Sequence, residues 1–288
     1  MATMPAEPQW DLKLLGPSDE KSALEFLRLD PLQNAYFISR TIDEGLGPRG
    51  QTAAILRGAE VEVLASLSGN LALAGAPDLD VMRREAAMAI LADHIVSRAI
   101  PVRALISDAR LVDPLWRRLA NHLSPPTVIR FNQPVYAIEA GPTSFPDLTV
   151  TRFATETDLD AIVPACAAMH REEVGIDPLT RDAAGYRQRI RELILKKRSV
   201  VLMEFGKIAF KCEFSAVTPA AVQLMGVWTR PDRRRRGFAR VGLREVCGHI
   251  LRQGKSVSLF VNDFNRPAIA LYESLGFRQI GTNRALIW

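Results

Sequence analysis

The sequence predicts an α/β protein in which helices cover a mixed sheet (an α+β mixed sheet). The chain of 288 residues is 48% hydrophobic and 24% charged, which is typical of a folded protein with a sizeable core. Short strand-like runs alternate with longer helical stretches, and the same order of elements occurs twice, offset by about 140 residues. We therefore expect two halves of similar architecture.

A linker rich in glycine and proline, AGPTSFPD at residues 140–147, separates the two halves. We predict an N-terminal domain over residues 1–140 and a C-terminal domain over residues 147–288. Residues 1–146 hold 14 Lys and Arg against 17 Asp and Glu, whereas residues 147–288 hold 23 against 15. The C-terminal half is thus the better candidate for binding an anion.

Each half contains several predicted strands and helices. In the first half, strands are predicted at 10–14, 52–56, 60–67, 70–74, 102–107 and 128–138, and helices at 20–29, 31–44, 79–98 and 112–122. In the second half, strands are predicted at 148–153, 200–205, 208–217, 222–229, 256–261, 278–281 and 284–288. The second half's helices are predicted at 157–171, 182–197 and 238–253, with a last helix that runs from about 265 to the stop signal at Gly276.

An arginine-rich loop joins the strand at 222–229 to the next helix. It reads Arg234, Arg235, Arg236, Gly237, Phe238, Ala239. Backbone N–H groups at a helix N-terminus can hold a multiply charged anion, and nearby arginines add attraction. Gly237 would let the backbone approach phosphate oxygens, and Ala239 would leave the approach open. A solvated charged face and a nucleic-acid contact are the alternatives, but the short cluster lacks interleaved aromatic residues, so we do not expect a nucleic-acid partner.

The last predicted helix carries two polar side chains at helical spacing. Asn265 is a candidate N-cap, Pro267 suits the first turn, and Gly276 ends the helix. Tyr272 lies seven residues after Asn265, or about two turns, so both side chains project from one face of the helix. They could therefore meet the same ligand, although an aromatic residue at this spacing could equally pack in the core.

The loop and this helix together resemble the GNAT acetyltransferase superfamily. The spacing Arg234-x-x-Gly237-x-Ala239 is similar to the loop that grips the pyrophosphate of coenzyme A in that family, and residues 265–277 resemble its second hallmark. The resemblance implies a complete GNAT fold over residues 147–288. It also implies acetyl-CoA or another acyl-CoA as co-substrate, without a metal.

The first half has the same order of elements but GAPDLD at residues 75–80, where the phosphate loop would lie. Two aspartates there would repel phosphate and the proline would remove an N–H group. We therefore predict a tandem GNAT-like fold whose first half is degenerate and binds no coenzyme A. This arrangement is similar to that of bacterial two-domain GNAT proteins.

The resemblance implies an N-acetyltransferase that moves an acetyl group directly to a primary amine of a small molecule, an amino acid or a protein. Tyr272 would protonate the leaving thiolate and contact the cofactor. Backbone groups of Val227, Trp228 and Thr229 would polarise the thioester carbonyl and pair with pantetheine. The remaining cofactor-binding candidates are Arg234, Arg235, Arg236, Gly237, Phe238, Ala239, Asn265 and Ala268. Arg235 stands where the family commonly has glycine, and we expect it to add phosphate attraction.

The general base must come from outside residues 223–228, because this stretch contains no carboxylate. Glu213, on the preceding strand, is the best candidate, and a structural hydrogen-bonding role for it stays open. His170 and the C-terminal carboxylate of Trp288 are weaker candidates, and a water relay could suffice.

Two glutamates near the end of the first helix of the second half, Glu172 and Glu173, are candidate substrate-binding residues because they could attract a cationic amine. A solvated helix end capped by Gly175 is the alternative. A second class of function also stays open, a non-catalytic acyl-CoA-responsive regulatory module. Retention of Tyr272 favours the enzyme, and the missing strand carboxylate favours the module.

Three cysteines, Cys166, Cys212 and Cys247, are few, odd in number and widely spaced, so we expect reduced core residues rather than disulfides. The four histidines have no metal-ligand spacing, and we predict no metal. The sequence has neither a long apolar run nor a secretion signal, so we expect a cytoplasmic protein without a membrane partner. An oligomer is possible but not specified.

Overall fold

A computed structural model of the chain describes residues 8–47 and 51–288. Residues 1–7 lie outside this description. They belong to the N-terminal stretch in which we predict no secretion signal. The described strands are β1 (Trp10–Leu14), β2 (Thr52–Arg57), β3 (Glu60–Ser66), β4 (Asn70–Gly75), β5 (Ala104–Asp108), β6 (Val128–Ile138), β7 (Arg152–Phe153), β8 (Ser199–Glu204), β9 (Lys207–Val217), β10 (Ala221–Thr229), β11 (Ser256–Phe260) and β12 (Arg278–Ile287). The described α-helices are α1 (Glu20–Leu27), α2 (Ala35–Glu44), α3 (Val81–Ser97), α4 (Ala109–Leu119), α5 (Leu159–Val174), α6 (Pro178–Leu195), α7 (Phe238–Arg252) and α8 (Arg266–Ser274).

The chain divides into two compact units. The first comprises Met1–Val135, Val261–Asn265 and Gln279–Trp288, and the second comprises Tyr136–Phe260 and Arg266–Arg278. The closing strand β12 thus groups with the first unit, whereas the sequence division assigns it to residues 147–288. The reason is strand pairing, since β12 pairs antiparallel with β5 from Asn283↔Asp108 to Ile287↔Ala104.

The first unit has the strand order β1-β2-β3-β4-β5-β12-β6. Strands β1 to β4 pair antiparallel with their neighbours, and β4 pairs parallel with β5. The apolar faces of α3 and α4 pack on one side through buried residues such as Met88 and Leu115. Phe26 of α1 and Ile38 of α2 belong to a separate apolar cluster. Both faces of this part of the sheet are therefore covered by helices.

The second unit has the strand order β11-β10-β9-β8-β7. Its β10 and β11 are parallel and the other pairs are antiparallel. Ile162 of α5 and Ile190 of α6 share a buried cluster with Val201 of β8. Helix α7 packs so closely that a Cβ on Gly242 would lie 2.4 Å from the Phe210 ring of β9.

Three predicted strands differ from the structure. The predicted strand 148–153 shortens to β7, because the Glu245 carboxylate of α7 accepts hydrogen bonds from the N–H groups of Thr149, Val150 and Thr151. These amides are therefore satisfied without a partner strand. The two predicted closing strands are one continuous strand, β12, since pairing with β5 carries it through the polar residues near Asn283.

Within the described ranges, no helix is both long enough and apolar enough to cross a membrane.

Candidate functional site

A bulge in β10 lies at the centre of the candidate site. Met225 pairs with Glu213 of β9 and Trp228 pairs with Lys211, so three steps along β10 match two along β9. The extra residue disrupts the ladder and releases backbone groups from regular pairing. Gly226 supports the bulge with a φ of 58°, a conformation that glycine adopts without a steric penalty.

Strands β10 and β11 pair over only part of their length. Their parallel register runs from Ala221↔Ser256 to Leu224↔Leu259, whereas β10 continues to Thr229. The predicted pantetheine contacts, Val227, Trp228 and Thr229, therefore lie beyond the described register with β11. Strand backbone that lacks a neighbour on one side can hydrogen-bond an extended ligand.

The loop after β10 ends at the N-terminus of a long helix. A single 3₁₀ turn, Pro231–Arg233, is followed by Arg235 with a φ of 58° and Gly237 with a φ of 86°. Gly237 is the N-cap of α7, and a Cβ built there would meet nothing within 4 Å. Phe238 and Ala239 then form the first turn of α7, both partly exposed. Left-handed residues in such a loop turn backbone N–H groups toward one concave surface, which suits an anion.

The left-handed conformation of Arg235 explains why glycine suits this position. A non-glycine residue in this region is strained, by about 1–2 kcal/mol. Arg235 therefore adds a positive charge to the loop and also adds backbone strain.

The loop arginines differ in their contacts. Arg230 and Arg233 pair with Glu204 and Asp232, so they are used within the loop and its neighbouring hairpin. Arg234 donates to the Thr229 carbonyl at 3.1 Å and to Glu172 at 2.6 Å. Arg235 and Arg236 are exposed. The sequence predicts cofactor contacts from Arg234 onwards, and the structure leaves those three arginines on the surface of the loop.

Tyr272 lies on α8 and is 6% exposed, with its ring 5.7 Å from that of Phe277. In the described part of the chain, no group hydrogen-bonds its hydroxyl. Burial, reinforced by Cys212 and Glu173, raises the pKa of Tyr272 well above its ordinary value. The phenol therefore stays protonated at neutral pH and can act as a proton donor.

The other α8 candidates lie at the start of that helix. The helix begins at Arg266, directly after Asn265, and Ala268 lies in its first turn. Gly276, with a φ of 89°, follows the end of the helix as the sequence predicts. The side chain of Asn265 belongs to the stretch Val261–Asn265, which groups with the first unit.

The predicted substrate-binding glutamates have different environments. Glu172 accepts hydrogen bonds from Trp228 Nε1 at 3.3 Å and from Arg234 Nη2 at 2.6 Å. Its carboxylate thus joins the end of α5 to β10 and to the loop. Glu173 contributes to the raised pKa of Tyr272, so it lies near the predicted acid.

Glu213, the predicted base, is buried in an ion pair. Its Oε1 accepts from Lys211 Nζ at 2.7 Å and from Cys166 Sγ at 3.2 Å. Glu213 is 4% exposed and Lys211 is 0% exposed. Burial lowers the pKa of Lys211, but the Glu213 carboxylate outweighs this effect and raises it. Accepting a proton would leave Lys211 as a buried charge without its counter-ion, which disfavours Glu213 as a base.

Sequence reasoning missed Lys211. A charged pair at alternate positions of an otherwise apolar strand is the signal that could have revealed it, because alternate residues share one face. The weaker base candidates lie elsewhere. His170 Nδ1 is 2.9 Å from the Ile176 carbonyl, and Trp288 groups with the first unit.

The segment of the first unit that corresponds to the Gly237 loop has a different structure. Asp80 caps α3 by accepting from the Arg83 N–H at 2.8 Å, and Arg83 also pairs with Asp78 and Glu62. A cavity of about 40 Å³, lined in part by Gly75 and Asp108, lies at this end of the unit. The helix N-terminus is thus satisfied by the chain's own carboxylate.

Over the described residues, no group of three or more His, Cys, Asp or Glu side chains is arranged to hold a metal ion. The three cysteines are free and buried.

Two family models match parts of the chain. Residues 215–286 match the FR47-like protein family, and residues 63–162 match a domain family of unknown function, DUF4081. Among curated proteins, none matches the chain. The FR47-like match covers the bulge, the loop, Gly237 and Tyr272.

Several solved structures share the fold across almost the whole chain. A GNAT-family acetyltransferase from Colwellia psychrerythraea is 15% identical, with 96% of this chain and 100% of that chain covered and a TM-score of 0.56. A GCN5-related N-acetyltransferase from Sphaerobacter thermophilus is 18% identical, with 98% and 96% covered and a TM-score of 0.54. A tandem GNAT protein from the clavulanic acid biosynthesis pathway is 13% identical, with 97% and 98% covered and a TM-score of 0.53. The chain therefore has the tandem GNAT fold of these solved structures, and its residues 215–286 match the FR47-like protein family.

Proposed function

We propose that the second unit is an acetyl-CoA-dependent N-acetyltransferase that acts on a primary amine. The observation that carries the proposal is the continuous run from the β10 bulge through the Gly237 loop to α7. It offers strand backbone beyond the β11 register for pantetheine and a helix N-terminus with exposed arginines for pyrophosphate. The shared fold is consistent with this reading.

The proposed reaction is direct transfer. The neutral amine nitrogen of the acceptor attacks the thioester carbonyl carbon, a C–N bond forms, and negative charge develops on the carbonyl oxygen near the β10 bulge. The C–S bond then breaks and the thiolate takes the proton of Tyr272. The amine loses a proton to water or to a base, and Tyr272 is reprotonated from solvent.

Calorimetric titration with acetyl-CoA, coenzyme A and a longer acyl-CoA tests the proposal. The wild type should bind, and Gly237→Glu should not, because its carboxylate would repel pyrophosphate at the N-cap of α7. Gly254→Glu is a matched control at a second positive-φ glycine with open space. If the wild type bound none of the three ligands, the proposal would be wrong.

A second candidate is a non-catalytic acyl-CoA-responsive module. The buried ion pair of Glu213 favours it, because the best-placed carboxylate on β9 is already used. The two candidates differ in turnover. An enzyme releases free coenzyme A continuously from acetyl-CoA when a library of primary amines is supplied, whereas a module binds the ligand and releases none.

A further inference from the structure

Lys211 and Glu213 form a fully buried ion pair beneath the β10 bulge. Their side chains are 0% and 5% exposed, and Nζ lies 2.7 Å from Oε1. Removing two charges from water is unfavourable unless their remaining hydrogen bonds are satisfied. The contacts around the pair therefore indicate what it serves.

The ammonium group of Lys211 makes three contacts. Besides Glu213 it donates to the backbone carbonyl of Gly226 at 2.9 Å and contacts Met169 Sδ at 3.6 Å. An ammonium has three donors, so this set accounts for all of them. The only backbone group in the set is the carbonyl of the bulge glycine.

The bulge fits closely around the pair. A Cβ on Gly226 would lie 1.8 Å from Glu213 Oε2 and 3.1 Å from Lys211 Nζ. Only glycine leaves room for the carboxylate, and its φ of 58° lies in the left-handed region that favours glycine.

Peptide geometry transmits this contact to the next residue. In a planar trans peptide the C=O of Gly226 and the N–H of Val227 point in opposite directions. A carbonyl held by Lys211 therefore fixes the Val227 N–H on the opposite side of the same plane.

We propose that Lys211, held by Glu213, is a positioning residue that aims the Val227 N–H at the carbonyl oxygen of a bound thioester. The inference rests on the proposed function. It assigns the pair a role in orienting an oxyanion donor, and it assigns Glu213 to the lysine rather than to the acceptor amine.

Infrared spectroscopy of bound acetyl-CoA labelled with ¹³C at the thioester carbonyl tests this role. Hydrogen bonding polarises a carbonyl, so the wild type should shift its stretch to lower frequency than in free acetyl-CoA. Lys211→Met should lose most of that shift. Its affinity for acetyl-CoA should fall about 2- to 10-fold, the value of one hydrogen bond, while its affinity for coenzyme A, which lacks the carbonyl, changes little.

Lys211→Met leaves the buried Glu213 carboxylate without its counter-ion, so that variant could unfold. The double variant Lys211→Met/Glu213→Leu removes both charges and should stay folded, yet it should also lack the carbonyl shift. Arg152→Met breaks the Arg152–Asp158 pair of the same unit, 2.7 Å long and away from the bulge, and should keep the shift.

The outcomes separate the two proposals. A wild-type shift retained in the folded double variant would overturn the positioning role and leave the proposed function intact. If acetyl-CoA and coenzyme A lost affinity equally, the pair would be merely structural. Absence of wild-type binding to both ligands would overturn both proposals.

Discussion

The Arg234 guanidinium donates to the Glu172 carboxylate across 2.6 Å, joining the phosphate-loop candidate to the end of α5. Both side chains are partly exposed, 45% and 42%, so the pair itself stabilises the fold by only about 0–1 kcal/mol. Its importance is chemical, because a carboxylate holds an arginine that we expect to bind pyrophosphate.

Glu172→Gln should therefore strengthen coenzyme A binding, by roughly 2- to 5-fold, a gain of less than about 1 kcal/mol. The substitution removes a competing negative charge and releases Arg234. Calorimetric titration at low salt measures the effect. Glu192→Gln is the control, because it neutralises an exposed carboxylate on α6 and changes the net charge by the same amount. Unchanged or weaker binding in Glu172→Gln would show that Glu172 does not compete with the ligand.

Tyr272→Phe should slow turnover by about 100-fold or more while leaving acetyl-CoA affinity nearly intact, because only the proton donor is lost. The rate of coenzyme A release with an active amine checks this, under conditions in which chemistry limits the rate. The control is Tyr136→Phe, which removes a buried hydroxyl that donates to Glu273 of α8 at 2.9 Å. Equal turnover in wild type and Tyr272→Phe would exclude Tyr272 as the acid.

Gly226→Ala should destabilise the protein by about 2–4 kcal/mol, because it adds backbone strain to a clash with Glu213. Gly206→Ala is the matched control, with a φ of 72° and nothing within 4 Å of its Cβ, and should cost only about 1 kcal/mol. Urea unfolding of both variants measures the difference. Similar losses in the two variants would mean that the bulge can move away from Glu213.

Glu245 should make stability fall in acid. Burial alone would raise its pKa, but hydrogen bonds from Thr149 and Thr151 outweigh burial and lower it to about 2 from 4.5. A lowered pKa contributes stability above about pH 4.5 that is lost as the pH falls toward 2, and here it amounts to about 3 kcal/mol.

Denaturant unfolding between pH 7 and pH 3 measures this contribution. Glu245→Gln should be less stable at pH 7 and should show a flatter pH dependence than the wild type. The exposed substitution Glu192→Gln should keep the wild-type slope. If the two variants had the same slope, the pH dependence would arise elsewhere.

The candidate site was predictable where its signals are local. A strand end, Gly237 and the periodic residues of α7 are neighbours in sequence, so the loop and its helix follow from turn and capping preferences. The position of Tyr272 on a helix followed in the same way from helical spacing, whereas its predicted role as the acid rests on the resemblance to the GNAT superfamily. The prediction of a strand over 148–153 was wrong for most of that segment. The carboxylate of Glu245, almost a hundred residues later, accepts hydrogen bonds from its backbone N–H groups.

The sequence by itself determined the order of elements, the phosphate-loop candidate and the α8 tyrosine, because turns, caps and periodicity act over a few residues. Only the tertiary structure decided that β12 pairs with β5, that Glu172 holds Arg234 and that Lys211 holds the Gly226 carbonyl. These contacts join residues that the chain brings together only on folding. The contact of Lys211 with the Gly226 carbonyl depends on desolvation and on the geometry of the β10 bulge, which the alternate charged positions of β9 do not encode.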